Sequence, residues 1–353
     1  DWARWLGNRY QFTDKLEQEI KTPAVLNLAN LRGSVAVIAQ EGNRIQGSVR
    51  KTIYAPDEAA AARQAQELAV SLEPVAGGYE LRWKTPREMR APARVDLELR
   101  VPAQLGAKVE TRRGDVRVAG LTGDVSISLA SGTTEVTGIK GSVQVQARGG
   151  SVRVDSVTGD VEIRGQGDEV DLRGISGEAN IDGEFTGPIR VSKIGRQTRF
   201  SSRRTNFTAE RVDGQLELVR GDLNLRRVSG NVTLLAQDKD VYVEDLRGQV
   251  RIENRHGRVQ LRFPEPPRQP LEVSSQSGDI ELILPADSGF AIEARAPLSQ
   301  IETDFTGPTL RLRDENHTSA LSGNYGTPRV NIRLNTRYGS IRLLRATPTT
   351  TSF

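Results

Sequence analysis

The sequence predicts an all-β protein: a parallel β-solenoid (β-helix) with 18-residue coils of two nine-residue halves, capped by an N-terminal segment containing one α-helix. Three observations carry that expectation. Glycines recur at Gly123, Gly141, Gly159, Gly177 and Gly195, every step eighteen residues, and again at Gly230 and Gly248. A second series interleaves at Gly114, Gly132 and Gly150, slips through Gly167 and Gly187, and resumes at Gly221 and Gly257. Each glycine precedes an apolar-x-apolar triplet such as Val116-Arg117-Val118 or Val161-Glu162-Ile163, and the composition, with 34 Gly, 16 Pro and only 5% aromatic residues, is that of short strands with small core side chains.

Each half-repeat has a physical layout. A glycine able to take positive φ turns the corner, a polar residue follows, and alternation then sends two apolar side chains to one face and the middle one to the other. Nine residues hold a strand and a corner but no helix, so successive coils must stack residue i over residue i+18. The inward rungs on one face read Val116, Thr134, Val152, Val170 and, after a one-residue insertion, Ile189; their companions are Val118, Val136, Val154, Leu172 and Val191. Between them the outward ladder reads Arg117, Glu135, Arg153, Asp171 and Arg190. Alternating sign is what stacked neighbours prefer, at about 0.2–1 kcal/mol per pair.

The remaining elements follow in order. Residues 1–106 read as strands over 34–39, 47–55, 79–83 and 94–101 around one helix, 57–72, with Asp57 at its start and Pro74 as its stop. That segment is expected to cap the open edge of the stack, with Trp2, Trp5 and Tyr10 in ordinary packing and an amphipathic lead-in near a membrane anchor as the alternative. Residues 107–263 form the regular solenoid. Between 193 and 213 the pattern blurs, and the coil is expected to continue with distorted corners through Arg196, Arg199, Arg203, Arg204 and Arg211. "PEPPRQP" at 264–270 marks a bend, because proline supplies no ladder N–H. Residues 264–353 continue the β pattern from Gly278-Asp279-Ile280, with strands near 290–294, 329–334 and 340–344, a polar insertion around 311–327, and a disordered tail.

The 49 basic and 45 acidic residues leave a net charge of +4, a dense and nearly balanced surface that does not call for nucleic acid. The absence of cysteine excludes disulfides, thiolate metal sites and Cys nucleophiles, and it suits an extracytoplasmic protein. No window approaches eighteen uninterrupted apolar residues. The opening Asp1 leads us to expect a removed signal peptide or anchoring segment as the only link to a membrane.

Candidate chemistry is sparse. Asp115, Asp124, Asp160, Asp222 and Asp279 follow corner glycines, but the calcium β-roll needs Gly-Gly-x-Gly-x-Asp, so these carboxylates are expected to cap turns. His256 and His317 are far apart in sequence, and no hydrolase, P-loop or dinucleotide fingerprint occurs. We therefore expect no catalytic residues, no metal and no cofactor. Neighbouring coils could still pair Glu162 with Asn180 or Asp171 with Arg153 as in carbohydrate-active β-helices, with Tyr242 as the main outward aromatic.

The segments "ARVDLELRVPAQLGAKVETRRGDVRVAGLTGDV" and "LEVSSQSGDIELILPADSGFAIEARA", with the closing "VNIRLNTRYGSIRLL", resemble the bacterial putative-adhesin family of unknown function. The resemblance covers approximately residues 25–345. It implies a β-solenoid at the cell envelope, often behind a membrane anchor, and offers no catalytic residues. The expected role is a non-enzymatic adhesin or envelope scaffold making multivalent contacts along a charged face. The alternative is a polysaccharide-binding or polysaccharide-degrading β-helix. Expected partners are envelope polysaccharide, anionic lipid headgroups or another surface protein, contacted through Arg196, Arg199, Arg203, Arg204 and Arg211.

Overall fold

The computed structural model describes residues 7–21, 24–30, 32–84 and 93–347; Trp2, Trp5 and residues 348–353 of the expected tail lie outside them. Among the described residues are thirty-one strands and one helix. The chain divides into two compact units, Asp1–Asp171 with Ile175–Gly177 and Leu172–Gly174 with Glu178–Phe353.

In the first unit the expected register holds. Val116, Thr134 and Val152 stack in one inward column and Val118, Val136 and Val154 in the next, all buried, with Arg117, Glu135 and Arg153 paired between them. On the second sheet face Ala107, Val125, Val143 and Val161 stack, followed by Val109, Ile127, Val145 and Ile163. The strand pairs of these columns are all parallel, so both faces of each coil feed one apolar interior.

The corners divide the work differently from the expectation. Gly132 takes φ +138°, as a turn glycine should, but Gly141 does not have positive φ. Gly141 is required by space: a Cβ there would lie 2.6 Å from Asp124 Oδ1 and 2.7 Å from the Gly123 carbonyl of the coil before. Left-handed residues occupy another column, Gly120, Gly138 and Ser156, each one position before a buried aliphatic: Leu121, Ile139 and Val157. A third inward column therefore lies at the bend.

The N-terminal segment contributes a coil of its own. Val25–Asn30 lies between Gly78–Lys84 and Gly106–Thr111, and Val35–Gln40 between Arg94–Pro102 and Val116–Ala119, all in parallel register. Asn8–Glu19 pairs antiparallel with Arg44–Ala55. The helix is shorter than expected, Glu58–Glu67, with the Asp57 carboxylate accepting the Ala60 N–H at 2.7 Å. It buries only Ala61 and Ala65, and Leu68 already leaves helical geometry with ψ 74°. Ala69–Val75 then forms a hairpin with Gly78–Lys84, so Pro74 sits in a strand and does not stop the helix. Buried Lys51 fastens the helix: its ammonium donates to the Ala65 carbonyl at 2.8 Å and pairs with Asp14.

In the second unit the chain reverses where distorted coils were expected. Thr198–Ser201 turns through 202–204 into Thr205–Val219, which runs antiparallel to both Thr198–Ser201 and Ile189–Ile194. A two-residue turn, Arg220-Gly221, then returns the chain as Asp222–Asp238, again antiparallel. One coil is thus wound backwards, and Gly221 is a hairpin residue in place of a solenoid corner. Phe200 and Phe207 face each other across the reversal, both buried. Forward winding resumes with Asp240–Arg247, Val250–His256 and Val259–Arg262.

The chain's last strands lie inside the stack. Asn331–Thr336 lies between Leu271–Ser277 and Phe290–Pro297, and Ile341–Arg345 between Ile280–Leu284 and Ile301–Thr303. The polar insertion is a hairpin, Arg311–Glu315 with Thr318–Tyr325, paired through the latter to Phe290–Pro297.

Candidate functional site

Corner aspartates act on the backbone. Asp115 Oδ1 accepts the Thr133 N–H, and Asp124 Oδ1 the Ser142 N–H, each at 2.8 Å and each eighteen residues ahead. In the second unit Asp240 does the same for Arg258 and Asp279 for Ser340, both at 2.8 Å. These N–H groups are left over where a coil begins, and a carboxylate one rung below satisfies them. Hydrogen bonds from the Ser340 backbone and hydroxyl hold the Asp279 carboxyl below the usual carboxylate range, against the opposing effect of burial. Among the described residues no three His, Asp or Glu side chains are grouped as metal ligands. His256 ends the strand Val250–His256, and His317 lies in the turn of the 311–325 hairpin.

The outward ladder is in register but weak. Arg117 Nε lies 4.0 Å from Glu135 Oε2 with both side chains more than half exposed, and Arg153 leans to Glu169 at 3.9 Å. Exposed pairs of this kind contribute about 0–1 kcal/mol. Glu162 pairs with Arg164 at 2.6 Å, and Asp171 is half-buried. Arg190 pairs with Glu217 at 3.0 Å across the reversed coil. Tyr242 is half-buried between Asn224 and Gln260.

Reversal splits the arginine cluster. Arg196 stays in the corner at 195–197, and Arg211 is held by Asp213 at 2.6 Å. The Asp213 carboxyl is pushed down, chiefly by the Ser229 hydroxyl, with burial opposing and Arg211 adding to the effect. Arg199 lies on an outward row that continues through Thr208, Thr233, Arg251, Glu272 and Arg333. Arg203 and Arg204, at the tip of the hairpin, reach a different place.

They form one end of a groove of about 590 Å³ within the second unit. Its first outward row is Asn206, Leu235, Glu253, Ser274 and Asn335, consecutive partners across five strands. Two residues further along lies a second row: Arg204, Gln237, Arg255, Gln276 and Arg337. Gln237 N–H donates to the Arg204 carbonyl at 3.1 Å, Arg255 Nε to Gln276 Oε1 at 3.1 Å, and Arg337 N–H to the Ser275 carbonyl at 3.2 Å. Adjacent strands lie about 4.8 Å apart, so alternate rungs place guanidinium groups at about 10 Å spacing. That is close to the screening length at physiological salt, about 8 Å, so the arginines repel one another little while the groove stays positive.

Glu253 is the acidic residue lining this groove, and its carboxylate is engaged by Arg251 at 2.8 Å. That contact in turn raises the affinity of Arg251 for its proton. Neither Arg203, Arg204, Arg255 nor Arg337 takes part in an ion pair among the described residues. At the floor, Asn254 and Ser275 are buried, and Asn254 Oδ1 and Ser275 Oγ have no hydrogen-bond partner. At the far end Arg337 lies 5.3 Å over the ring of Tyr338, the most exposed large hydrophobic side chain described, at 65%.

The sequence pointed to Arg203 and Arg204 but missed Arg255, Arg337 and Tyr338, because their coils are separated by hairpins that hide the period. Two other cavities are unlike this one. A cavity of about 360 Å³ in the first unit sets Arg50, Arg94 and Arg117 against Asp96, Glu98 and Asp115. The other, about 320 Å³, lies beneath the proline-rich bend beside Phe263 and Arg247.

No curated protein matches this chain. Three solved structures are similar over nearly its whole length. They are a putative cell adhesion protein from Clostridium sporogenes, at 10% identity over 95% of this chain and 100% of that one, TM-score 0.19; a putative adhesin from Parabacteroides distasonis, at 9% over 95% and 97%, TM-score 0.26; and a putative adhesin from Bacteroides fragilis, at 10% over 94% and 97%, TM-score 0.24. TM-scores this low carry no argument about this molecule. A family model does match, over residues 108–344, two-thirds of the chain and all of its forward coils beyond the first: the protein belongs to the Toastrack DUF4097 family.

Proposed function

We propose that this protein is a non-enzymatic, extracytoplasmic adhesin or envelope scaffold, binding by many weak contacts along outward strand rows. The observation that carries the reading is the fixed pitch of those rows. Arg117, Glu135 and Arg153 in one unit, and Arg251, Glu272 and Arg333 in the other, present charge at every strand step. The displaced carboxyls, Asp213 and Asp279, are explained by structural hydrogen bonds, so neither is poised as an acid or base. The lack of cysteine agrees with a place outside the cytoplasm.

The test is capture of purified bacterial envelope fragments by immobilised full chain, with row charges neutralised one at a time. Distributed contact predicts salt-sensitive capture that declines in small steps. Abolition by any single substitution would point to a pocket and contradict the reading.

A further inference from the structure

We propose that the groove of the second unit binds a linear acidic glycan of the polyuronate class, extended across the strands with its carboxylates on Arg204, Arg255 and Arg337. This deepens, and rests on, the contact-surface reading above. Three features select the ligand.

Cations at alternate rungs, about 10 Å apart, match an extended polyuronate, in which every residue carries a carboxylate and a two-fold twist turns every second one to the same side. Guanidinium is the side chain best suited to a carboxylate, since its planar fork offers two parallel N–H donors. Between the cations stand Gln237 and Gln276, and beside them Asn206, Ser274 and Asn335. These amides and hydroxyls can both donate and accept, which is what sugar hydroxyls need and what a bare phosphate chain does not.

The third feature is apolar. Tyr338, 65% exposed next to Arg337, and Leu235, 41% exposed in the first row, offer flat apolar surface to the C–H face of a sugar ring. A single-stranded nucleic acid would require several stacking rings; no ring lines this groove, and Tyr338 stands beside it under Arg337. Glu253 does not oppose the ligand, because Arg251 already engages its charge. The first unit's cavity has no such bias, with three arginines facing three carboxylates, and serves as the internal control.

The experiment titrates the full chain with oligogalacturonates of graded length, against fully methyl-esterified polygalacturonate, polyphosphate and oligo-dT. Affinity should rise with length until the oligomer spans Arg204 to Arg337, four strand steps or about 20 Å, and then level off. The esterified polymer should bind at least about tenfold more weakly. Arg255→Gln should cost about tenfold or more, with partial recovery in Arg255→Lys. Tyr338→Ala should cost several-fold without altering the salt dependence, and Arg50→Gln, in the first unit's cavity and outside the contact rows, should cost nothing. All four substitutions are at exposed positions, and an unchanged melting temperature establishes that each variant is folded.

Equal binding of the esterified polymer overturns the proposal. So does polyphosphate or oligo-dT binding as tightly as polygalacturonate with Tyr338→Ala silent, since that is unspecific polyanion binding. A cost at Arg50 equal to that at Arg255 also overturns it. If polygalacturonate fails while envelope fragments are still captured, only the ligand class falls; if both fail, the contact-surface reading falls with it.

Discussion

At Gly141 a methyl group would meet Asp124 Oδ1 and the Gly123 carbonyl inside 3 Å; the carboxylate cannot retreat without losing the Ser142 N–H, and the carbonyl is fixed in the backbone of the coil before. Gly141→Ala should therefore destabilise the fold by about 1–3 kcal/mol, the usual cost of overpacking. Lys193 is the opposite case, an exposed residue held at φ +54° where glycine is at ease. Lys193→Gly should be neutral to stabilising, by up to about 1 kcal/mol, because relief of left-handed strain outweighs the added freedom of the unfolded chain. Denaturant midpoints of the two variants check both signs. Asp279 makes a prediction about pH. Its carboxyl is lowered in the folded state, so its stabilisation is present above the ordinary aspartate value and disappears as pH falls through the lowered one. Asp279→Asn keeps an acceptor for the Ser340 N–H without the charge. Melting temperature should fall less steeply below about pH 4 in that variant than in the parent; equal slopes would show that the carboxylate charge plays no such part.

Elements show why some of the architecture could be read and some could not. The forward coils announce themselves because glycine, aliphatic and charge all repeat at eighteen, and Arg117 beside Glu135 follows directly. The third inward column was legible too, in Gly120-Leu121 and Gly138-Ile139, once the residue before each aliphatic is recognised as left-handed. The reversed strand Thr205–Val219 was not, because alternation with period two reads the same in both directions and only the polar tip at 202–204 marks the turn. The coil at 25–40 was hidden by its partner lying 81 residues away, and the one at 331–345 by a separation of 61. That last insertion is testable. The last described strand, Ile341–Arg345, has a parallel partner on each side. Hydrogen exchange should find its amides as protected as those of Ile280–Leu284, whereas rapid exchange would place it at an edge.

At the scale of the whole molecule, the proposed contact surface depends on a regular backbone that fixes the spacing of its side chains. The net charge of +4 says little, because the first unit's cavity is balanced and the second unit's groove is not. Arg203 and Arg204 were visible in the sequence as part of a basic run. What gathers them with Arg255 and Arg337 is the reversed coil, and removing Arg196, Arg199 and Arg211 from that set is its other consequence. The account therefore stands on that reversal. The chain contains no cysteine, so disulfide mapping can be done without background. Backward winding sets Arg190 opposite Glu217, at a separation a disulfide can span, whereas forward winding would set it over Thr208, eighteen residues on. Oxidation of Arg190→Cys/Glu217→Cys should give an intramolecular cross-link in the folded protein and Arg190→Cys/Thr208→Cys should not. The reverse result would contradict the backward coil and the groove it builds.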